Sequence, residues 1–174
     1  MTWITTYSGR HFDYLKPSIE SINITDIAKA LSHECRYTGQ LERFYSVAQH
    51  CVECSYIVHK KFALEALLHD AVEAYCKDIP SPLKRLLPDY QRMEKSIDLI
   101  VRQKFNLPLA ESPEVKRADL IMLATEHRDL ANDGKDWPIL KDIPMLQRKI
   151  EPLPSNIALI HFKRRFDELT MGMI

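Results

Sequence analysis

Two histidines and two aspartates in this chain carry the side chains needed to bind a divalent metal ion. They lie on three different predicted helices: His50, the adjacent pair His69-Asp70, and Asp119. Two imidazole nitrogens and two carboxylates suit a borderline ion such as Mn, Co, Zn, Ni or Fe better than they suit calcium. The sequence therefore supports the hypothesis of one divalent ion bound among these helices.

Each of these residues also has an ordinary structural explanation. A single histidine on the apolar face of a helix is usually a hydrogen-bonded core residue, and Asp119 can pair with Arg117. A purely structural helical adaptor, however, would leave all four groups buried together without a cation, which is strongly disfavoured. The hypothesis of a metal site thus depends on the four groups occurring together.

Three sequence blocks contain these residues: RFYSVAQH at 43–50, HDAVEAYCKDIPSPLK at 69–84, and VKRADLIMLATE at 115–126. Their order and spacing resemble those of the HD-domain metal-dependent phosphohydrolases, over residues 22–130. The resemblance is closest to the small nucleotidases, which include bacterial 5'-deoxynucleotidases and phage dATP triphosphohydrolases. It implies four metal ligands, namely His50, His69, Asp70 and Asp119.

The same resemblance implies roles for two further carboxylates. Glu73 would accept or route a proton while a metal-bound water attacks a phosphorus atom, and Asp78 would orient the water or the hydrogen bonds of the site. Without the neighbouring His69-Asp70 pair, Glu73 would be interpreted as a solvated helix residue. The implied chemistry is hydrolysis of a phosphate ester.

Substrate contacts are also implied by the resemblance. Arg43 and Lys84 match basic positions that meet phosphate, the alternative being that they are two of the 24 basic residues on the surface. Arg36 and Tyr37 resemble an arginine-aromatic pair in which the aromatic ring stacks on a nucleobase. Family members often have tryptophan there, and the spacing to His50 differs by one residue, so an ordinary half-buried loop tyrosine is the alternative.

These features predict a deoxynucleotide phosphohydrolase that uses one divalent ion, with additional Mg accompanying the nucleotide phosphates. The compact chain and its N-terminal TYSGRHF segment resemble the phage-type triphosphohydrolases, and this resemblance implies cleavage of dATP, or of another dNTP, to deoxynucleoside and triphosphate. One alternative is a 5'-deoxynucleotidase that acts on a dNMP. The other is a catalytically silent module that binds metal and nucleotide.

Residues 1–174 are predicted to form a single mostly α-helical domain, because only 4 of 174 residues are glycine and apolar residues recur at spacings of three and four. The resemblance implies that this all-α domain is an HD-type helical bundle. A short hairpin or extended arm is predicted at 3–15. One helix at 62–76 is predicted to carry His69, Asp70 and Glu73 and to end before the prolines of DIPSPLK. The connection 131–154 is predicted to be irregular apart from a short helix at 145–150. The other predicted helices are 26–34, 46–60, 89–105, 112–130 and one from Ser155.

The balance of 24 basic and 24 acidic residues argues against a nucleic-acid partner. The first 17 residues contain no apolar core run and no stretch of 18 apolar residues occurs, so we expect no membrane association, a cytoplasmic location (the host cytoplasm if phage-encoded) and reduced thiols. Cys51 and Cys54 form a lone CxxC within an amphipathic helix and are interpreted as core residues rather than as metal ligands. The Pro-containing segment 131–154 is a candidate for self-association, so a homo-oligomer is expected.

Overall fold

A computed structural model describes residues 1–171, which are mostly helical with a two-stranded N-terminal hairpin. The expected all-α class and the hairpin are therefore confirmed, while residues 172–174 of the predicted domain lie outside the described residues. The strands are β1 (Trp3–Thr5) and β2 (His11–Asp13). The helices are α1 (Ile24–His33), α2 (Val47–Ile57), α3 (Ala63–Leu68), α4 (Glu73–Cys76), α5 (Ser81–Lys84), α6 (Pro88–Lys104), α7 (Pro113–Asp129) and α8 (Ser155–Thr170).

The N-terminal hairpin is fixed to the helical body by apolar and polar contacts. Its strands are antiparallel with Ile4 opposite Phe12, and the fully buried Phe12 ring stacks on Tyr75 with ring centroids 4.3 Å apart. In the turn, the amide and hydroxyl of Ser8 donate to the buried carboxylate of Asp26 at 2.6 and 2.8 Å. Asp26 belongs to α1, so the hairpin turn is tied directly to the first helix.

Replacing Asp26 by alanine is expected to loosen the hairpin, because two hydrogen bonds to a buried carboxylate are lost. The expected loss in the free energy of unfolding is about 1–3 kcal/mol. Amide hydrogen exchange should show faster exchange at Trp3–Asp13, while the exposed Glu42→Ala leaves these amides unchanged. Unchanged protection of the hairpin in the Asp26 variant would contradict this account.

Helix α2 lies at the centre of the fold and packs against α1, α3, α7 and α8. Its residues Val47, Ala48 and Cys51 are fully buried, and Leu67 from α3 and Phe162 from α8 belong to the same core. Full burial of a leucine or phenylalanine side chain contributes about 1.5–3 kcal/mol, so this packing holds α2 in a defined position. Among the described residues, no helix combines the length and apolar character needed to cross a lipid bilayer.

The prediction of one continuous helix at 62–76 is wrong, because helical structure stops at Leu68 and resumes at Glu73. The Ala66 carbonyl accepts a hydrogen bond at 2.8 Å from the ring of His69, although a continuing helix would pair that carbonyl with the Asp70 amide. The next backbone bonds have the tighter i to i+3 spacing, as from Ala71 to Leu68 at 3.0 Å. The His69-Asp70 pair therefore lies in a turn between α3 and α4.

The proline-containing segment after α4 also differs from the prediction. The sequence predicts that its prolines interrupt helical structure, yet Ser81–Lys84 form the short helix α5. Pro82 lies in the first turn, where a backbone N–H has no acceptor within the helix. Proline at this position therefore costs the helix no hydrogen bond. The short turn brings Lys84 towards Glu94 of α6, with Nζ and Oε1 2.8 Å apart.

The predicted helix at 145–150 is wrong, and the connection 131–154 instead contains a 3-10 turn at Pro138–Leu140. Side chains of α7 satisfy the backbone of 145–150, which removes its need for internal hydrogen bonds. Thr125 Oγ1 accepts from the Leu146 amide at 3.0 Å, and Asp129 Oδ2 accepts from the Ile150 amide at 2.9 Å. The segment is therefore held along α7 without helical structure.

Candidate metal centre

The four predicted metal ligands come from three parts of the fold and meet at one place. His50 lies within α2, whose N-terminus is capped by Ser46 through a backbone hydrogen bond of 3.1 Å to its hydroxyl oxygen. His69 and Asp70 occupy the turn after α3, and Asp119 lies on α7. Packing of α3 and α7 against the central α2 brings these side chains together.

The distances between the donor atoms fit a common ion. His50 Nε2 lies 3.2 Å from Asp119 Oδ1 and 3.8 Å from Asp70 Oδ2. His69 Nε2 lies 3.2 Å from the same Asp70 oxygen and 4.0 Å from the same Asp119 oxygen. Ligands about 2.1 Å from one ion are about 3.0–4.2 Å apart in tetrahedral or octahedral arrangements. The structure thus brings the four side chains to coordinating distances, and their binding of a metal stays a prediction.

The ring of His69 gives the most direct indication of a metal ligand. Its Nδ1 donates to the Ala66 carbonyl, so Nε2 bears the lone pair in the neutral ring. This Nε2 is buried and has no hydrogen-bond partner among residues 1–171. Because buried polar atoms are nearly always paired, an unpaired imidazole nitrogen facing two carboxylates is the arrangement expected for a metal ligand.

The ring of His50 is held in the matching orientation by a carboxylate behind it. Its Nδ1 lies 2.6 Å from Oε1 of the fully buried Glu126, so Nε2 is the atom that faces Asp119 and Asp70. Burial and Arg36 act to lower the pKa of His50, but Cys54, Glu126 and Asp119 together raise it well above its usual value. A proton on Nε2 therefore balances the negative charge when no ion is bound, and a divalent ion can replace it.

Glu126 organises the site, although the sequence analysis assigns it no role. Burial alone would raise its pKa, yet the positive charges of Arg36 and His50 hold the pKa below its usual value. Arg36 Nε and the Tyr37 hydroxyl both donate to Glu126 Oε2 at 3.1 Å. Glu126 lies seven residues, or about two helical turns, after Asp119 on α7, and this spacing is the sequence signal for a shared face.

Replacing Glu126 by alanine is expected to destabilise the protein strongly, because Arg36 loses its buried partner and His50 loses its orienting acceptor. Breaking a buried ion pair by removing one member costs about 3–5 kcal/mol. Denaturant unfolding measures the loss, with the exposed Glu114→Ala on the same helix as the control. A loss in the Glu126 variant no larger than in the Glu114 variant would show that this buried network does not hold the site.

Both residues predicted to bind the base, Arg36 and Tyr37, thus make contacts within the protein itself. The Arg36 guanidinium contacts Glu126 and also lies 3.7 Å from Asp70 Oδ2. Tyr37 adopts a positive φ of 55°, and its ring lies 6.4 Å from that of Trp137, centroid to centroid. Burial first, and then the negative charge of Glu126, raise the pKa of the Tyr37 phenol far above its usual value. Tyr37 is therefore a hydrogen-bond donor in this site.

The predicted catalytic carboxylates lie beside the four ligands. Burial and the negative charges of Asp70 and Asp78 raise the pKa of Glu73 well above its usual value, and its Oε2 has no hydrogen-bond partner among residues 1–171. Burial also raises the pKa of Asp78, with Asp70 adding to the effect. A carboxyl group with a raised pKa can bind and release a proton closer to neutral pH than an exposed one can.

The two cations predicted to meet phosphate differ in position. The exposed Arg43 pairs with Glu151 at 3.1 Å and donates to the Pro152 carbonyl at 3.2 Å, and these are its polar contacts within the described part of the chain. Burial lowers the pKa of Lys84, but Glu94, Glu73 and Asp70 raise it above its usual value. Lys84 is therefore close enough to Glu73 and Asp70 for their charges to affect its pKa, whereas its hydrogen bond goes to Glu94.

Buried thiols line the site as well as the core. Cys54 Sγ lies 3.5 Å from His50 Nε2, and His50, Cys54 and His69 each offer an atom within 4.8 Å of the other two. Cys51 forms a second such group with His69 and Asp70. Both cysteines are fully buried, as their interpretation as core residues predicts, but that interpretation misses their position beside the predicted ligands. Burial raises the pKa of Cys54 to about 11, so its thiol is protonated at neutral pH when no ion is bound.

Comparison with known proteins finds a relative that covers nearly the whole chain and another that covers two thirds of it. The sequence is 54% identical to the "Uncharacterized protein YfdR" of Escherichia coli (strain K12) over 172 residues, which is 98% of this chain and 97% of YfdR. It is 32% identical to an uncharacterized protein of Rhodobacter capsulatus over 126 residues, which is 67% of this chain and 64% of that protein. No protein-family model matches the sequence.

Proposed function

We propose that this chain, which belongs to the family of the Escherichia coli protein YfdR, is a metal-dependent phosphohydrolase of the HD type that acts on deoxynucleotides. One observation carries the proposal: the buried, unpaired Nε2 of His69 faces the carboxylates of Asp70 and Asp119 beside His50 Nε2. The HD-type sequence blocks support the same assignment.

His50, His69, Asp70 and Asp119 would hold one divalent ion. When bound, such an ion supplies Lewis acidity that polarises a phosphoryl oxygen and lowers the pKa of a water molecule. The side chain of Asp70 is 20% exposed and that of Asp119 is 38% exposed, so the site opens to solvent on the carboxylate side. A substrate phosphate can therefore approach from that side, whereas both histidines are closed off by the protein.

Glu73 is the proton acceptor in this proposal. Its unpaired Oε2 and its raised pKa suit a group that takes a proton from water and returns it to the leaving oxygen. Asp78 adds negative charge that raises the pKa of Glu73 and so keeps the proton available. Lys84, with Glu94 holding its ammonium group, lies on the side of these carboxylates and would balance phosphate charge.

The preferred substrate is dATP or another dNTP, cleaved to deoxynucleoside and triphosphate. The resemblance to the phage triphosphohydrolases and the short N-terminal hairpin support this choice. One structural observation favours the alternative, a 5'-deoxynucleotidase that acts on a dNMP. Arg43 is paired with Glu151, which leaves fewer free cations for a chain of three phosphates.

A product assay tests the proposal and chooses between the substrates. The purified protein is incubated with Mn or Co and a panel of dNTPs and dNMPs, and the phosphate product is identified. Triphosphate release supports the dNTP substrate, and orthophosphate from a dNMP supports the nucleotidase. Metal binding without any release would overturn the enzymatic function and leave a silent binding module, and a protein that binds no metal would overturn the site itself.

A further inference from the structure

Helix α2 carries a second potential metal donor one turn after His50. Cys54 is four residues further along the helix, so its side chain lies on the same face. Its Sγ is 3.5 Å from His50 Nε2, the atom that also faces Asp119 at 3.2 Å. The thiol is therefore next to the predicted ligand atoms rather than merely on the same helix.

The separation of sulfur and nitrogen fits shared coordination. With a metal–sulfur distance of about 2.3 Å and a metal–nitrogen distance of about 2.0–2.1 Å, tetrahedral ligands of one ion lie about 3.5 Å apart. A second and independent observation points to the same place, since His69 is 9% exposed, its Nε2 has no hydrogen-bond partner among residues 1–171, and a nitrogen of its ring lies within 4.8 Å of the donor atoms of both His50 and Cys54. Three buried donors thus surround one point.

We propose that Cys54 binds the divalent ion as a thiolate together with the two histidines, so that the centre has a soft donor in addition to its oxygen and nitrogen ligands. This inference rests on the metal centre of the proposed function. The metal–sulfur bond replaces the S–H bond of Cys54, and the proton is released to solvent. A thiolate selects zinc, cobalt or ferrous iron over manganese and magnesium, which prefer oxygen ligands.

Without an ion, the contact between Cys54 and His50 is a weak hydrogen bond that involves the thiol. A metal on His50 Nε2 would end that bond and leave a buried thiol facing a cation. Coordination would give the buried sulfur a partner and the ion a further ligand. Spectroscopy of the loaded protein separates coordination from mere proximity.

The experiment uses the full-length protein loaded with one equivalent of Co²⁺. Thiolate ligation gives a sulfur-to-cobalt charge-transfer band in the near ultraviolet and a sulfur scatterer at about 2.3 Å in X-ray absorption at the cobalt edge. The band should be present in the wild type and in the Cys51→Ser and Cys76→Ser controls, and absent in Cys54→Ser. Zinc affinity of the Cys54 variant should fall at least about tenfold, with little change in manganese affinity.

Three other results of this experiment would each overturn the inference in a different way. Cobalt bound at one equivalent without a sulfur scatterer in the wild type would overturn ligation by Cys54 and leave the proposed hydrolase intact. Loss of the band in Cys51→Ser but not in Cys54→Ser would show that the sulfur ligand is Cys51, and this result would overturn the inference. A wild-type protein that binds no cobalt would overturn this inference and the metal-dependent function together. If Cys54→Ser does not fold, absorption-edge measurements on the wild type and on Cys51→Ser still decide the question: a sulfur scatterer in both supports Cys54, and its loss in Cys51→Ser overturns the inference.

Discussion

Asp70→Asn is expected to lower affinity for the divalent ion by more than about 100-fold, since loss of groups that only support metal ligands already costs about 10–100-fold. The amide keeps the shape of the side chain but removes the negative charge from an oxygen that lies 3.2 Å from His69 Nε2 and 3.8 Å from His50 Nε2. Turnover should fall with the metal content, because the proposed reaction needs the ion to lower the pKa of a water molecule and to polarise the phosphate. Elemental analysis and isothermal titration measure the loss of metal, and product release measures turnover.

Asp89→Asn is the matched control for this prediction. Asp89 lies on α6 with a side chain that is 88% exposed, and it pairs with Arg92 on the protein surface. The same change of acid to amide there should leave metal content and turnover at the wild-type level. If Asp70→Asn kept one tightly bound ion, the ligand set proposed here would be wrong whatever its activity.

The elements whose sequences contain explicit boundary signals are predicted well. The Ser46 cap fixes the start of α2, and the Ser112-Pro113 pair fixes the start of α7. Together these two helices position His50 and Asp119. Strong local signals therefore explain most of why the sequence correctly predicts that these side chains lie close together.

The predictions fail where a tertiary contact replaces a local one. The break after Leu68 depends on the ring of His69 taking the Ala66 carbonyl, which periodicity does not reveal. Likewise, 145–150 has a helix-like sequence but obtains its hydrogen bonds from Thr125 and Asp129 of α7. Side-chain acceptors distant in sequence cannot be identified from local patterns alone.

As with the fold, the sequence predicts some parts of the candidate site and misses others. The resemblance identifies four ligands and Glu73, but it offers no reason to select Glu126, because a glutamate near the end of an amphipathic helix usually faces solvent. Only the buried contacts to His50 and Arg36 reveal its role. Those same contacts show that Arg36 also helps to hold Glu126 behind His50, while its role in binding substrate stays a prediction.

Glu73→Gln is expected to retain the divalent ion and to lower turnover by about 10²–10⁴-fold, the range typical for loss of general acid–base catalysis. Glutamine has nearly the same shape but cannot take up the proton at Oε2. Metal content measured beside the rate of product release separates this outcome from that of Asp70→Asn. The exposed Glu42→Gln is the control, and full turnover in the Glu73 variant would contradict the assigned role.

The same variant should be more stable than the wild type in the metal-free protein at neutral pH. Burial and the charges of Asp70 and Asp78 raise the pKa of Glu73 above its unfolded value of about 4.5, so the native state binds more protons than the unfolded state once the pH exceeds that value. Wild-type stability therefore falls as the pH rises from 4.5 through the native pKa, whereas glutamine has no charge to bury. The gain in the free energy of unfolding should thus be near zero below pH 4.5 and should grow with pH, as chemical denaturation in a pH series can measure. A gain that did not change with pH would mean that the pKa of Glu73 is not raised in the native state, and its role as the proton acceptor would then have no electrostatic basis.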